Sequence, residues 1–156
     1  MYKKLLTTFL LLFIIQITYA QNEFITTWKP ANPSTNVEAG TLSTANQIWF
    51  PGTGTDFNVS WNEIGYPAHN GSFTVTSSDH FLIDFGISQN PNPNDATYEV
   101  KISNGNGNFN AVKFPGFTFI SPSLRIPTIT SYNGDIKKIL SISQWGNIHW
   151  TTMEWA

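Results

Sequence analysis

Short runs of strand-forming residues, separated by turns rich in Gly, Asn and Pro, constrain this chain more than any other feature. In several of them apolar and polar side chains alternate, which is the period-2 pattern of a half-buried strand. No convincing helical period occurs between residues 21 and 131. Closely spaced short strands predict an all-β fold and favour an antiparallel β-sandwich. The runs are 24–28 (FITTW), 47–50 (QIWF), 56–61 (DFNVSW), 71–77 (GSFTVTS), 80–85 (HFLIDF) and 97–103 (TYEVKIS).

Apolar side chains on one face of each alternating run form the predicted core. A strand with one solvated face buries every second residue, so each run contributes two or three side chains. Aromatic residues make up 15% of the chain and Cys is absent, so packing rather than disulfides must stabilise the fold. The residues expected to be mostly buried are Phe57, Val59, Trp61, Phe73, Val75, Tyr98, Val100 and Ile102.

The predicted connections between strands combine residues that favour turns. Gly and Asn tolerate positive φ, and Pro cannot donate a hydrogen bond to a sheet. Asn70-Gly71 and Asn104-Gly105 are strong signals for hairpin turns. The predicted connectors are 51–56 (PGTGTD), 68–72 (AHNGS), 88–96 (SQNPNPNDA) and 103–108 (SNGNGN).

The amino terminus, residues 1–20, has the pattern of a secretory signal peptide. Lys3 and Lys4 precede an apolar run at 5–17, and small residues at Thr18 and Ala20 favour cleavage after Ala20. The run is shorter than the roughly 20 residues that span a bilayer. We therefore expect a secreted or cell-surface protein that begins at Gln21 and does not insert into the membrane after cleavage.

Cleavage leaves 136 residues, a length typical of one domain, and it changes the net charge. Loss of two lysines reduces Lys and Arg from eight to six, against ten Asp and Glu, so the mature net charge is −4. No basic patch remains, which makes nucleic acid and anionic membranes poor partners.

Groups with catalytic chemistry are dispersed along the chain. His69, His80 and His149 match neither zinc-ligand spacing nor a nucleophile motif, and we interpret them as exposed positions at strand edges. The sequence therefore predicts neither an enzyme nor a resident metal or cofactor. No pairing typical of a glycosidase is visible among the carboxylates Glu63, Asp79, Asp84, Asp95 and Glu99.

Residues 90–95 (NPNPND) gather oxygen-bearing side chains of the kind that calcium prefers. The spacing of an EF-hand loop, with its Gly and distal Glu, is missing. A proline-stiffened surface loop is the favoured interpretation, and calcium binding stays open. The four candidate ligands are Asn90, Asn92, Asn94 and Asp95.

The last twenty residues, 137–156 (KKILSISQWGNIHWTTMEWA), combine a strand with the beginning of a helix. The strand is predicted near 138–143 against the sandwich, with Trp145 as its apolar anchor. Thr151 and Glu154 have the spacing of a capping box, which predicts a helix from about residue 152. Only five residues remain for it, whereas an isolated helix needs roughly 12 to 15 to be marginal in water.

Both ends of the mature chain resemble the amino-terminal region of BspA-like leucine-rich-repeat surface proteins of bacteria. The resemblance rests on 24–35 (FITTWKPANPST), on 97–103, and on 137–156, where Trp-Gly is followed by Trp-x-x-Met. It implies an immunoglobulin-like or polycystic-kidney-disease-like (PKD-like) β-sandwich over residues 21–134. It also implies that residues 135–156 begin a leucine-rich-repeat array.

The resemblance further implies a non-catalytic structural or adhesive module that presents the array to a protein or host surface. Downstream repeats of the same gene product would be partners, because a single repeat cannot bury its own apolar face. Ile148, Trp150 and Met153 are therefore expected to be poorly buried. Two arrangements stay open: a fragment that lacks its covering repeat, which is favoured, or a segment folded back on the sandwich. The implied repeat interface comprises Trp145, Ile148, Trp150, Met153 and Trp155.

A carbohydrate-binding module is the alternative hypothesis. Such modules are also short exported sandwiches, and they stack sugars on exposed aromatic rings. Trp49 and Tyr66 are the candidate residues, whereas Trp61 is expected in the core. Coplanar, exposed rings on one sheet would favour glycan binding, and buried rings would favour the structural module.

Overall fold

The computed structural model describes residues 22–34, 42–78, 80–114 and 134–153. These residues form antiparallel sheets connected by turns and one short 3-10 helix, which confirms the predicted all-β class. Within them, no helix has the length and apolar character needed to cross a bilayer. The predicted signal peptide, Asp79, Glu154 and Trp155 lie outside the described residues. In chain order the elements are β1 (Phe24–Trp28), β2 (Gln47–Phe50), β3 (Gly52–Glu63), β4 (Tyr66–Ser78), β5 (Phe81–Asp84), the 3-10 helix (Pro93–Asp95), β6 (Tyr98–Ser103), β7 (Asn108–Val112) and β8 (Ile139–Gln144).

Two sheets account for all of these strands. The larger has the order β4-β3-β6-β1-β8, and β7 also pairs with β3. The smaller consists of β2 and β5, in register from Gln47 opposite Asp84 to Phe50 opposite Phe81. β3 has different partners along one edge, because its first part pairs with β7 and its second part with β6. The change occurs at Asp56, which has a positive φ of 47°.

The core lies between the two sheets and is largely aromatic. The Phe50 ring of the small sheet lies 5.5 Å from Trp28 of the large sheet, and Phe81 lies 5.6 Å from Phe57. Trp28, Phe50 and Phe57 are fully buried. Full burial of one such side chain stabilises the fold by about 1.5–3 kcal/mol, so these contacts hold the sheets face to face.

Most of the predicted core is confirmed, with one residue wrong. Phe73 is 37% exposed, because β4 is the edge strand of the large sheet and the ring meets Phe81 only edge-on. Trp61 is half-buried and packs against the end of the core. The buried members are Phe57, Val59, Val75, Tyr98, Val100 and Ile102.

The predicted hairpin turn at Asn70-Gly71 is wrong, because both residues lie inside β4. The chain turns instead at Ile64-Gly65, between β3 and β4. Gly71 lies directly opposite Trp61, and a Cβ atom there would be 2.7 Å from the indole ring. The glycine is therefore explained by a close cross-strand contact with an aromatic ring. The chain also turns at the second predicted position, Asn104-Gly105, between β6 and β7, but the prediction of a hairpin there is wrong. Both strands pair antiparallel with β3, so they run in the same direction along it, one after the other.

The predicted connectors at 51–56 and 68–72 are largely strand. Residues 52–56 belong to β3 because β7 and β4 pair with this part of the strand, and 68–72 belong to β4. A glycine-rich segment such as 52–55 can extend when neighbours on both sides supply hydrogen-bond partners.

β8 confirms the strand predicted near residues 138–143, and it pairs antiparallel with β1. The chain then passes alongside β7. The backbone N–H of Thr151 donates to the carbonyl of Asn110 at 2.8 Å, and Thr152 forms a parallel bridge with Ala111. The helix predicted from about residue 152 is therefore wrong at Thr152, because the edge of β7 already pairs with its backbone.

Candidate binding surfaces

Trp49 lies on the outer face of the small sheet. Its neighbours Ile48 and Phe50 are buried in the core, so the alternation of β2 turns Trp49 outward. Leu82, which is itself exposed, lies directly opposite on β5. The ring of His80 approaches the half-buried indole edge-on, with centroids 5.6 Å apart. Trp49, Leu82 and His80 thus form an apolar and aromatic strip on this face.

Polar groups border the same face at its other end. Gln47 donates from Nε2 to Oδ2 of Asp84 at 2.7 Å. Asn46 donates from Nδ2 to the carbonyl of Gly86 at 3.2 Å. Directed amide and carboxylate groups beside an aromatic ring are the combination that small polar ligands need. We call this surface, formed by Asn46, Gln47, Trp49, His80, Leu82 and Asp84, the small-sheet face.

Tyr66, the other aromatic candidate, lies on the large sheet. It is the half-buried first residue of β4 and pairs with Glu63 at the end of β3. Trp49 and Tyr66 therefore belong to different sheets and do not form a platform on one sheet.

Glu63 places a fully buried carboxylate at the end of β3. Four donors surround it: Oγ of Ser88 at 2.6 Å, the backbone N–H groups of Gln89 at 2.9 Å and Asn90 at 3.0 Å, and Nδ1 of His69 at 2.5 Å. An unpaired buried charge would cost several kcal/mol, and these donors remove that cost. We call these five residues the Glu63 cluster.

Hydrogen bonding decides the charge of Glu63. Burial alone would raise its pKa, but the hydrogen bonds from Ser88, Gln89, His69 and Asn90 outweigh it and hold the pKa below the ordinary value of 4.5. The carboxylate is therefore ionised at neutral pH. Its contacts attach the loop at 88–90 to the end of the large sheet.

His69 reaches Glu63 through a bulge in β4. Asn62 pairs with Asn70 and Glu63 pairs with Tyr66, so three residues of β4 lack a partner on β3. Such bulges redirect side chains, and here the His69 side chain is only 15% exposed. Its prediction as an exposed histidine is therefore wrong.

The Glu63 cluster lacks the order of a hydrolase triad. In a triad the nucleophile bonds to the histidine, which in turn bonds to the carboxylate. Here Ser88 donates directly to the Glu63 carboxylate, as His69 can through Nδ1. These hydrogen bonds therefore hold the loop at 88–90 in place and do not activate Ser88 as a nucleophile.

One signal in the sequence could have revealed this cluster. Glu63 follows the inward-facing alternation of β3, as Val59 and Trp61 do. A carboxylate at an inward position requires buried donors. The identity of those donors was not predictable, because all but His69 lie about 25 residues away.

A second buried cluster joins β2 to the turn before β8. Lys138, which is 1% exposed, donates from Nζ to Oγ of Ser43 at 2.7 Å and to the carbonyls of Thr44 at 2.8 Å and Gln47 at 2.9 Å. Burial lowers the pKa of Lys138, and the nearby charge of Asp135 opposes that shift. Three acceptors fill the donor capacity of the ammonium group.

Asp135 completes this Lys138 network. It accepts hydrogen bonds from Oγ of Ser43 at 2.7 Å and from the backbone N–H of Trp49 at 2.5 Å. Ser43 and Lys138 are the residue types of a serine–lysine nucleophile pair. Both side chains are buried, and the Ser43 hydroxyl donates to the Asp135 carboxylate. These contacts therefore attach residues 43–49 to the 135–138 turn.

The loop at 90–95 uses its own oxygen atoms. The backbone N–H of Asn92 donates to Oδ1 of Asn90 at 2.9 Å, and Nδ2 of Asn92 donates to Oδ2 of Asp95 at 2.5 Å. The other oxygen of Asp95 pairs with Lys29 at 3.0 Å. Among the described residues, no three His, Cys, Asp or Glu side chains group as a metal site requires. These contacts support the interpretation of a self-bonded surface loop.

Aromatic rings cluster where the terminal segment crosses the large sheet. Trp150 lies edge-on to Phe24 at 5.1 Å and to Phe109 at 5.6 Å, so it covers the end of the core. Trp145 also contacts Phe24, at 5.5 Å, yet it is 45% exposed. Met153 is 41% exposed. We call Trp145, Trp150 and Met153 the terminal aromatic edge.

Ile148 departs from the prediction that it would be poorly buried. The chain turns at Gly146, which has a φ of 67°, and Ile148 joins the buried core at 8% exposure. The half-buried Trp150 packs against the same core. Of the three side chains expected to lack cover, Met153 is the exposed one.

No protein-family model, curated protein or solved structure matches this chain significantly. The chemistry and exposure of its own residues therefore carry the functional assignment.

Proposed function

We propose that this chain is an exported, non-catalytic interaction module with an immunoglobulin-like or PKD-like β-sandwich. In this proposal it acts at the cell surface, or after secretion, and supports a leucine-rich-repeat array of the BspA-like type. Three features support it: the pattern of residues 1–20, the two antiparallel sheets around one aromatic core, and the resemblance of the terminal segment to the entry into such an array.

The terminal aromatic edge is the observation that carries the proposal. Trp145 touches Phe24 of the core on one side and leaves almost half of its surface in water on the other. Met153 nearby in the chain is exposed to a similar degree. Trp145 also lies edge-on to the half-buried Trp150, at 5.8 Å. Contiguous apolar side chains mark interaction sites more often than isolated ones do. An incoming repeat would cover Trp145 and Met153.

Extension of the chain by leucine-rich repeats tests this proposal. We would compare residues 21–156 alone with the same chain followed by two BspA-like repeats. If the repeats pack on the terminal aromatic edge, the extended protein should unfold at a higher denaturant concentration and scatter less light.

Substitution at the edge makes that comparison specific. Trp145→Ser should abolish the gain in stability from the repeats, because Trp145 is the largest exposed apolar side chain in the described part of the terminal segment. Ile87→Ser is the matched control, since Ile87 is 90% exposed in another part of the chain and should leave the gain unchanged. If the repeats raise the denaturant midpoint equally in the parent and in Trp145→Ser, the proposal is contradicted.

Carbohydrate binding is the second candidate, and the small-sheet face favours it. This face offers one outward indole beside the paired Gln47 and Asp84 side chains. Electrophoresis through gels containing soluble polysaccharides provides the test. Trp49→Ala should abolish retardation, whereas Tyr66→Ala on the other sheet should not. Equal mobility of the parent and Trp49→Ala in every polysaccharide would argue against this role.

A further inference from the structure

β4 is an edge strand whose outer side is paired with no described strand. It lies at one end of the large sheet, and its 13 residues are mostly exposed. Natural edge strands usually carry Lys, Pro, an inward-pointing charge or a bulge, because an unprotected edge pairs with other chains. In β4 the Pro and the bulge are confined to the beginning, at Pro67–His69. From 70 to 78 (NGSFTVTSS) the strand has none of these devices.

The rest of β4 keeps one register with β3, which favours pairing. That register runs without a shift from Asn62 opposite Asn70 to Gly54 opposite Ser78, and Asp56 is the one residue of β3 in this span without a paired residue on β4. Phe73-Thr74-Val75-Thr76 consists of residues with high strand propensity. The other edge of the sheet differs, since the β8–β1 register shifts at two places and Lys137 and Lys138 precede the strand.

The sequence of β4 is complementary to itself in the antiparallel direction. If two copies pair with Thr74 opposite Thr74, then Phe73 of each copy lies opposite Val75 of the other. Phe73 and Val75 share the inner face of β4, because they pair with Val59 and Phe57 of β3. On the outer face, Ser72 would lie opposite Thr76, and hydroxyl pairs of this kind stabilise adjacent strands.

Charge and exposure favour a second copy as the occupant. No Lys, Arg, Asp or Glu occurs from 66 to 78, so like charges do not oppose each other across the two-fold axis. Phe73 is 37% exposed and would gain cover from the second copy. We propose that two copies of this chain associate through β4, antiparallel about Thr74, and that their large sheets become continuous.

A single cysteine tests the register directly, because the chain has none of its own. Directly opposed residues of antiparallel strands have Cβ atoms about 4.5–5.5 Å apart, which is close to disulfide geometry. Thr74→Cys should therefore give a covalent dimer under mild oxidation. Thr76→Cys is the matched control: Thr76 would oppose Ser72, so its cysteines would lie too far apart to cross-link and no covalent dimer should form. Equal cross-linking of both variants, or of neither, would overturn the proposal.

Sedimentation measures the association without a cross-link. The parent chain 21–156 should sediment as a dimer, and Thr74→Lys should sediment as a monomer because two ammonium groups would meet at the axis. Ser141→Lys adds the same charge to β8 at the opposite edge and should stay dimeric. Dissociation by Ser141→Lys instead, or a monomeric parent, would refute pairing through β4. An unchanged far-UV circular dichroism spectrum verifies that each variant folds.

Discussion

At the scale of single residues, Glu63 connects three separate parts of the chain. Its carboxylate holds β3, the bulge of β4 with His69, and the loop at 88–90 together through short hydrogen bonds. Hydrogen bonds to a buried charged group contribute more than neutral ones, and the loss of one partner leaves the others unsatisfied. The end of the large sheet therefore depends on one ionised side chain.

Replacement of this carboxylate by an amide should weaken the fold. In Glu63→Gln one oxygen becomes an NH₂ group that faces existing donors, so we expect the free energy of unfolding to fall by about 2–3 kcal/mol. Urea denaturation measures the change. Glu99→Gln is the control, because Glu99 forms a partly exposed pair with Lys101 and its loss should cost under about 1 kcal/mol. Equal losses would show that the Glu63 cluster is not a special determinant of stability.

Acid should destabilise the protein through the same group. The folded pKa of Glu63 lies below 4.5, so the unfolded chain binds the proton first as the pH falls. The stabilisation is fully present above the unfolded pKa and is lost as the pH falls through the folded pKa. Urea midpoints measured between roughly pH 6 and pH 3 should decline, and the decline should be shallower in Glu63→Gln. Parallel pH profiles would contradict this assignment.

At the scale of elements, the turn between β6 and β7 lets β3 pair with two strands in succession. The N–H of Gly107 donates to the carbonyl of Asp56 at 3.0 Å, where β3 changes partners. A Cβ atom at Gly107 would lie 2.0 Å from the carbonyl oxygen of Thr55. The close approach of this turn to β3 therefore requires a residue without a side chain.

A methyl group at this turn should separate β7 from β3. We expect Gly107→Ala to reduce the free energy of unfolding by roughly 2–3 kcal/mol, because the clash is with backbone and not with a flexible side chain. Gly65→Ala is the comparison: its Cβ would meet nothing within 4 Å, and its positive φ of 87° should cost about 1–2 kcal/mol. Thermal denaturation ranks the two variants by stability. A larger loss of stability in Gly65→Ala than in Gly107→Ala would refute the steric explanation.

At the scale of the whole molecule, the two sheets share one aromatic core that needs no disulfide. Rings from the large sheet, the small sheet and the terminal segment meet at Phe50, Phe109 and Trp150. Such a core is compatible with export of a chain that contains no Cys.

Export itself is a prediction about the intact chain. We expect the protein recovered outside the cell to begin at Gln21, because the run at 5–17 is too short to anchor it and Ala20 suits the cleavage enzyme. Amino-terminal sequencing or intact-mass measurement of exported protein decides this. A mature species that retains residues 5–17 would show that the segment is not a cleaved signal.

The sequence by itself determined the all-β class, most strand positions and six buried core residues, because alternation depends only on neighbours along the chain. It named Trp49 as a candidate without settling its exposure, and only the structure places it on the outer face of the small sheet. It misplaced the turn at Asn70-Gly71, since only the pairing with β3 sets Trp61 against Gly71. Glu63 and Lys138 acquired their roles from donors and acceptors distant in sequence. Tertiary structure decided these features because strand register, which depends on turn geometry and on burial against distant elements, determines which distant polar groups meet.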